Sequence, residues 1–229
     1  MHKFGRFLAT AAMSVGGGLF ALPAAAVPQI EIAHGASAVV VSDQSAGDIN
    51  DLVGAVVFAG TVGDFFINVT TGVTKPVLGS AEVPRLDLNS INVSGPTGAV
   101  LTIRFTETDF SSPSGYADIF SAIGGTTAGS IQYLTYASLT NDAFAEDILI
   151  SDSGILSGPF VFSDMSTVAI SGTYSLTTVA IITHSGSGNQ NSSFNAVVEL
   201  PEPFLAPPII LGTLLLSATM IARRRRNRL

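Results

Sequence analysis

The sequence predicts an all-β body with an antiparallel β-sandwich or jelly-roll architecture. Three observations support that class. Apolar and polar residues alternate with a period of two in 86–93, 100–106 and 131–136. Runs rich in Val, Ile, Thr, Phe and Tyr recur every 8–15 residues, broken by Gly, Asn, Asp, Ser and Pro. No stretch of the body carries an apolar stripe of helical spacing longer than two turns. A period of two gives one buried and one wet face, which is how strands of an antiparallel sheet read.

In chain order, the expected strands are 30–41, 55–59, 65–70, 86–93, 100–106, 118–123, 131–136, 147–150, 160–162, 174–184 and 194–200. The small polar stretches 42–51, 109–116, 124–130, 151–158 and 185–193 read as loops, because their residues favour turns. Residues 141–147 can be read as a short helix. Strands at this spacing with turns between them make a sandwich or a jelly roll.

The two ends read differently from the body. His2, Lys3 and Arg6 are followed by an apolar run, 7–22, and then by Pro23-Ala24-Ala25-Ala26. This basic, apolar and small-residue order is that of a secretory signal peptide. Ala24 and Ala26 supply the small side chains that signal peptidase accepts, so residues 1–26 are removed after Ala26. Gly16-Gly17-Gly18 argues against an ordinary helix of the mature fold.

At the other end, residues 204–222 carry no charge and are followed by Arg223, Arg224, Arg225, Arg226 and Arg228. A helix over that length reaches roughly 28 Å, about the hydrocarbon thickness of a bilayer. Pro207 and Pro208 move its regular start to about residue 209, leaving a short single transmembrane helix whose arginines remain cytoplasmic. The chain thus divides into a signal peptide (1–26), a β-sandwich ectodomain (27–200) and a tail (201–229).

Composition narrows the function classes. The whole chain has a net charge of −7, but residues 27–200 hold only Lys75, Arg85 and Arg104 against sixteen carboxylates, a net charge of −13. Such a body has no basic patch to neutralise phosphates, which excludes nucleic acid as a partner. The chain has no cysteine, so an exported domain of this sequence depends on core packing rather than disulfides.

Chemistry is sparse. His34 and His184 are the histidines of the body and stand singly at strand ends, where surface or turn packing accounts for them. No G-x-S-x-G elbow occurs. Glu107 and Asp109, two apart on one strand face, are the nearest approach to a paired acid and base for a surface hydrolase, but no Trp is present to stack a sugar, and a solvated strand end is the expected reading of both. Asp43, Asp48, Asn50 and Asp51 share a loop whose oxygens could serve calcium, as could Asp142, Glu146 and Asp147. Their spacing fits no calcium-loop pattern, and turn formation explains them equally. The residues alone assign no catalytic site, cofactor or metal site.

Leu200-Pro201-Glu202-Pro203, the apolar run and the arginine cluster together resemble the PEP-CTERM sorting signal of Gram-negative bacteria. The resemblance implies that Pro201, Glu202 and Pro203 are the recognition motif for an exosortase. The apolar span would hold the chain in the cytoplasmic membrane, and the arginines would stop transfer. The double proline departs from the usual apolar run. The body, through 66–72, Lys75-Pro76, 86–89 and 180–184, is similar to the small β-rich ectodomains carried by such proteins. These resemblances imply a non-catalytic protein delivered to the cell surface or extracellular matrix of a bacterium that makes exopolysaccharide. The competing expectation is a glycan-binding lectin or adhesin, calcium-dependent or not. A surface hydrolase has the least support.

Overall fold

A computed structural model describes residues 26–112 and 115–201 of the chain. Among them are ten strands and no helix: β1 (Gln29–His34), β2 (Ser37–Ser42), β3 (Ala55–Val62), β4 (Phe65–Val73), β5 (Arg85–Pro96), β6 (Val100–Ser112), β7 (Ala117–Ser138), β8 (Ile148–Val168), β9 (Gly172–His184) and β10 (Asn189–Glu199). Every pairing is antiparallel. The expected all-β antiparallel class is therefore the observed one. The signal peptide up to residue 25 and the tail from residue 202 lie outside the described residues.

The strands form two layers that share one long hairpin. The order is β2-β1-β6-β9-β7-β10-β5-β4-β3, with β8 on the far side of β7. The second half of β7, Gly129 to Ser138, pairs with β9, whereas Phe120 to Thr127 in its first half pair with β10. β8 accompanies β7 along both halves. One layer is thus β2-β1-β6-β9 with the second half of β7, and the other is β3-β4-β5-β10 with the first half.

The layers face each other across an apolar core that includes Ile32, Phe65, Leu86, Ile103, Tyr133 and Ile182. Phe105 of β6 lies so close to Gly72 of β4 that a Cβ there would stand 2.6 Å from its ring. This is face-to-face packing of a β-sandwich.

Alternation decides which residues enter that core, and it slips once where the chain bulges. In β5, Leu86 and Leu88 are buried, and then Ile91 and Val93. The phase changes at Asn89 and Ser90, which together oppose the single residue Asn195 of β10. Ser90 takes a φ of 56° there, and its N–H donates to Asn195 Oδ1 at 2.8 Å. A bulge of two residues against one restores the inward phase for the second half of the strand.

Several expected boundaries are corrected. Residues 30–41 form two strands, β1 and β2, because Gly35 makes a turn at a φ of 57°. The stretches 124–130 and 151–158, read as loops, continue β7 and β8. Residues 141–147 are turns rather than a short helix. Asp142 O accepts from Ser175 Oγ, and Glu146 reaches Arg104, so these residues hold a loop onto the sheet.

Candidate functional site

β5, β10, β7 and β8 lie side by side, so their outward residues form rows across the sheet. Asp87, Val197, Ala122 and Ser163 are one row, and Arg85, Glu199, Phe120 and Met165 are the next. Small residues at Ala122 and Gly124 leave the middle of this face low. Phe120, Val161 and Val197 supply apolar surface, and the β5 edge is polar. The result is a groove of about 440 Å³ on the outer face of the sheet.

Arg85 organises the polar edge. Its Nη1 lies 3.1 Å from Glu199 Oε2 and its Nη2 lies 3.4 Å from Asp87 Oδ2. Its Nε is enclosed and has no hydrogen-bond partner among the described residues. Asp87 Oδ1 accepts from Asn89 Nδ2 at 3.3 Å. The rim therefore offers the guanidinium Nη groups of Arg85 and two carboxylates, charges that already partly neutralise one another. This arrangement can cover the apolar face of a ring and hydrogen-bond its edge.

Arg85 is also the wall of a second pocket of about 270 Å³, lined by Leu78, Val83, Pro84, Leu200 and Pro201 among others. Leu200 N donates to Pro84 O at 3.0 Å. The chain leaves β10 at Glu199 and reaches half-buried Pro201 with no spacer. Of the residues singled out at the two ends, Ala26 and Pro201 stand at the limits of the described segment. Ala24, Glu202, Pro203 and the arginines Arg223, Arg224, Arg225, Arg226 and Arg228 lie outside it.

The carboxylate pair expected on one strand face is taken apart by a bulge. β6 and β9 lose register between Glu107 and Phe110, and Asp109 takes a φ of 59°. Glu107 is not at a solvated strand end, as expected, but fully buried, with its Oε1 3.3 Å from Lys75 Nζ. Burial pushes the Glu107 carboxyl up to about 7, against the opposing pull of Lys75. The Lys75 ammonium also donates to Thr108 O and lies 4.1 Å over the Phe110 ring. Asp109 turns away to Asn141, whose Nδ2 donates to its Oδ1 at 2.6 Å. These groups tie the loop after β4 and the loop after β7 to β6 rather than sharing a cleft.

The acidic loop after β2 has its oxygens engaged by the backbone. Asp48 Oδ1 accepts from Asn50 N at 3.0 Å and Val57 N at 2.9 Å, and Oδ2 accepts from Gln44 N at 3.2 Å. Asp43 Oδ2 accepts from Gly54 N at 2.7 Å. The Asp, Asn and Gly spacing here encodes a turn. Among the described residues, no group of three or more His, Cys, Asp or Glu side chains is placed to hold a metal ion.

The two histidines contact one ring, in an arrangement that sequence reasoning missed. The Phe65 ring packs against both His34 and His184, with ring centroids 5.1 Å and 5.2 Å away. His184 Nδ1 lies 3.2 Å from Gly95 O, and Nε2 lies 3.0 Å from Ser192 Oγ. A carbonyl can only accept, so Nδ1 carries the proton and Nε2 accepts from Ser192. Thr127 Oγ1 continues the chain, 2.7 Å from Ser192 Oγ. His184 and Ser192 are each 1% exposed, so this serine–histidine contact is closed to substrate. Burial lowers the His184 pKa, and the bond to Gly95 opposes that shift in part. The spacing of His184 and Ser192, eight residues apart across the β9–β10 turn, was the available sequence signal.

No family model matches the chain, and no curated protein does. Solved structures give faint likenesses. The enzymatically active domain of tailspike protein 4 from bacteriophage CBA120 is 15% identical over 66% of this chain and 21% of its own, with a TM-score of 0.30. The C-terminal CBM6 of LamC, a marine laminarinase from Zobellia galactanivorans, is 12% identical over 62% of this chain and 98% of its own, at 0.23. The mannan-recognising carbohydrate-binding module TmCBM27 is 13% identical over 59% and 88%, at 0.24. The chain spans about a fifth of the tailspike domain and of an isomalto-dextranase from Arthrobacter globiformis. At these scores, none of the likenesses bears on what the chain does.

Proposed function

We propose that the chain is an exported, non-catalytic protein of the bacterial cell surface or extracellular matrix. Signal peptidase removes residues 1–26. The tail 201–229 then holds the body at the outer side of the cytoplasmic membrane until an exosortase-type enzyme cuts near Pro201-Glu202-Pro203. The observation that carries this reading is the three-part order of the tail: motif, uncharged run and arginine cluster. The folded body supports it. β1 begins at Gln29, three residues after Ala26, and β10 ends at Glu199, two before Pro201. The sandwich fills the interval between the two processing points. The non-catalytic part rests on Glu107, the best acid of the sequence, being buried in a contact with Lys75.

Mass spectrometry of the protein recovered from its host's surface tests the reading. The expected ends are Val27 at the amino terminus and a carboxyl terminus close to Pro203. A surface-located protein that keeps residues 204–229 would reject processing and leave a plain single-span anchor.

A second reading, glycan binding, is favoured by the outer groove, where apolar Phe120 and Val197 lie beside the polar rim of Arg85 and Asp87. Sugars present an apolar ring face and a hydroxyl edge, which such a site can match. Retention of the protein on the host's exopolysaccharide should fall with Phe120→Ser and with Arg85→Ala. Equal retention of both variants and the wild type would reject the groove as a glycan site.

A further inference from the structure

β8 is the longest edge strand among the described residues. It runs for 21 residues, and one side is hydrogen-bonded to β7 along both halves. Its other side has no strand partner among the described residues. From Asp152 to Thr167 not one side chain is fully buried. Ile155 is 72% exposed and Val161 83%. Typical strands have about 5–6 residues, and natural edges are guarded by charge, especially lysine, by proline or by cover. This edge has no lysine, only two charges (Asp152 and Asp164), and a single proline, Pro159.

We infer that residues 159–167 of β8 pair antiparallel with the same segment of a second copy, about a twofold axis at Ser163. The residues select this partner and this register. With Ser163 opposite its own copy, Val161 falls opposite Met165, so the two most exposed apolar side chains of the segment cover each other. Asp164 falls opposite Phe162 rather than opposite itself. A shift of the centre to residue 164 would place the two aspartates face to face, which is destabilising.

Proline within a sheet sits where its missing N–H faces the free edge. Residues 161, 163 and 165 share that phase with Pro159, because register with β7 is continuous from Gly158 to Val168. Their N–H and C=O groups are therefore the ones presented to a partner. Within β8 the only charges are Asp152 and Asp164, and in this register neither aspartate meets its own copy.

The absence of cysteine provides a direct test in the full-length protein. Ser163→Cys, solubilised in detergent and mildly oxidised, should run as a disulfide-linked species of twice the monomer mass. Ser157→Cys on the same edge should not. In the inferred register, its two copies lie 12 positions apart along the strand, about 40 Å at the usual rise. Val161→Lys should raise the dimer dissociation constant at least about tenfold in sedimentation equilibrium, since lysine is a natural edge guard. The inference is overturned if the Ser163→Cys variant stays unlinked while the unmodified protein sediments as a monomer. That is also the result expected if β8 captures some other extended segment. Equal linking of the Ser157→Cys and Ser163→Cys variants would overturn it too. Tail processing does not enter either readout.

Discussion

Ser121 Oγ and Thr135 Oγ1 lie 2.9 Å apart, although both belong to β7 and fourteen residues separate them. Both side chains are fully buried. A strand that touches itself at that separation has turned over, and β7 does so near Thr127-Ala128-Gly129. One strand thereby lines both layers of the sandwich, and the hairpin with β8 closes that side of the core.

The turn depends on two glycines. A Cβ at Gly129 would stand 1.9 Å from Thr183 O, and one at Gly125 would stand 2.2 Å from Ser193 O. Both obstacles are backbone atoms of neighbouring strands, which cannot move aside as a side chain can. Gly129→Ala should cost at least ~2 kcal/mol in denaturant unfolding, as overpacking does. Gly154→Ala, where a Cβ meets nothing within 4 Å, should cost less despite its φ of 61°. Equal losses would show that the corner is not sterically tight.

Asp48 has a structural role that should be independent of cations. It accepts from three backbone N–H groups, those of Gln44 and Asn50 in the loop after β2 and that of Val57 in β3. Asp48→Ala leaves those donors unmatched and should destabilise by on the order of 2 kcal/mol. The melting temperatures of wild type and variant should be unchanged by calcium or by a chelator. A calcium-dependent rise in the wild type alone would assign the loop to metal binding.

His184 should make the fold sensitive to acid. Its native pKa is lowered by burial, so the native state holds it neutral where the unfolded chain takes up a proton. Its contribution is fully present above the unfolded value of about 6.5 and is lost as pH falls below it. Imidazole proton shifts followed by NMR should show His184 titrating below 6.5. Titration at or above that value would contradict the buried Ser192–His184–Gly95 chain.

Glu107 should act in the opposite direction. Its native pKa is raised to about 7 from 4.5, so the native state keeps a proton that the unfolded chain has released. The stability it contributes is complete below about 4.5 and is lost as pH rises through about 7. Glu107→Gln should flatten the loss between those values, which unfolding midpoints measured at several pH values will show. An unchanged slope would mean that Glu107 stays ionised beside Lys75 throughout.

Much of the fold was legible because alternation and burial agree. Leu101, Ile103 and Phe105 enter the core at every second position of β6, as period two requires. The long hairpin was not legible. Gly124, Gly125 and Gly129 signal turns in sequence, yet here two of them allow close approach at a corner within a strand. Residues 151–158 are polar and glycine-rich because they lie on an exposed edge, where no buried face enforces a pattern.

The groove was hidden for a related reason. Its lining comes from β5, β7, β8 and β10, spread from Arg85 to Val197, and only the register brings those residues into rows. The Glu107–Asp109 pair was misread because a bulge breaks the alternation that would have kept the two together.

The absence of slack between β10 and Pro201 has a mechanical consequence. β10 lies between β5 and β7 and is hydrogen-bonded to both. Tension applied at Pro201 runs along this inner strand, so both ladders are loaded in shear together and cannot peel apart one bond at a time. A domain held by that end resists traction with most of its sheet, as a rivet does, and should let go abruptly rather than unravel.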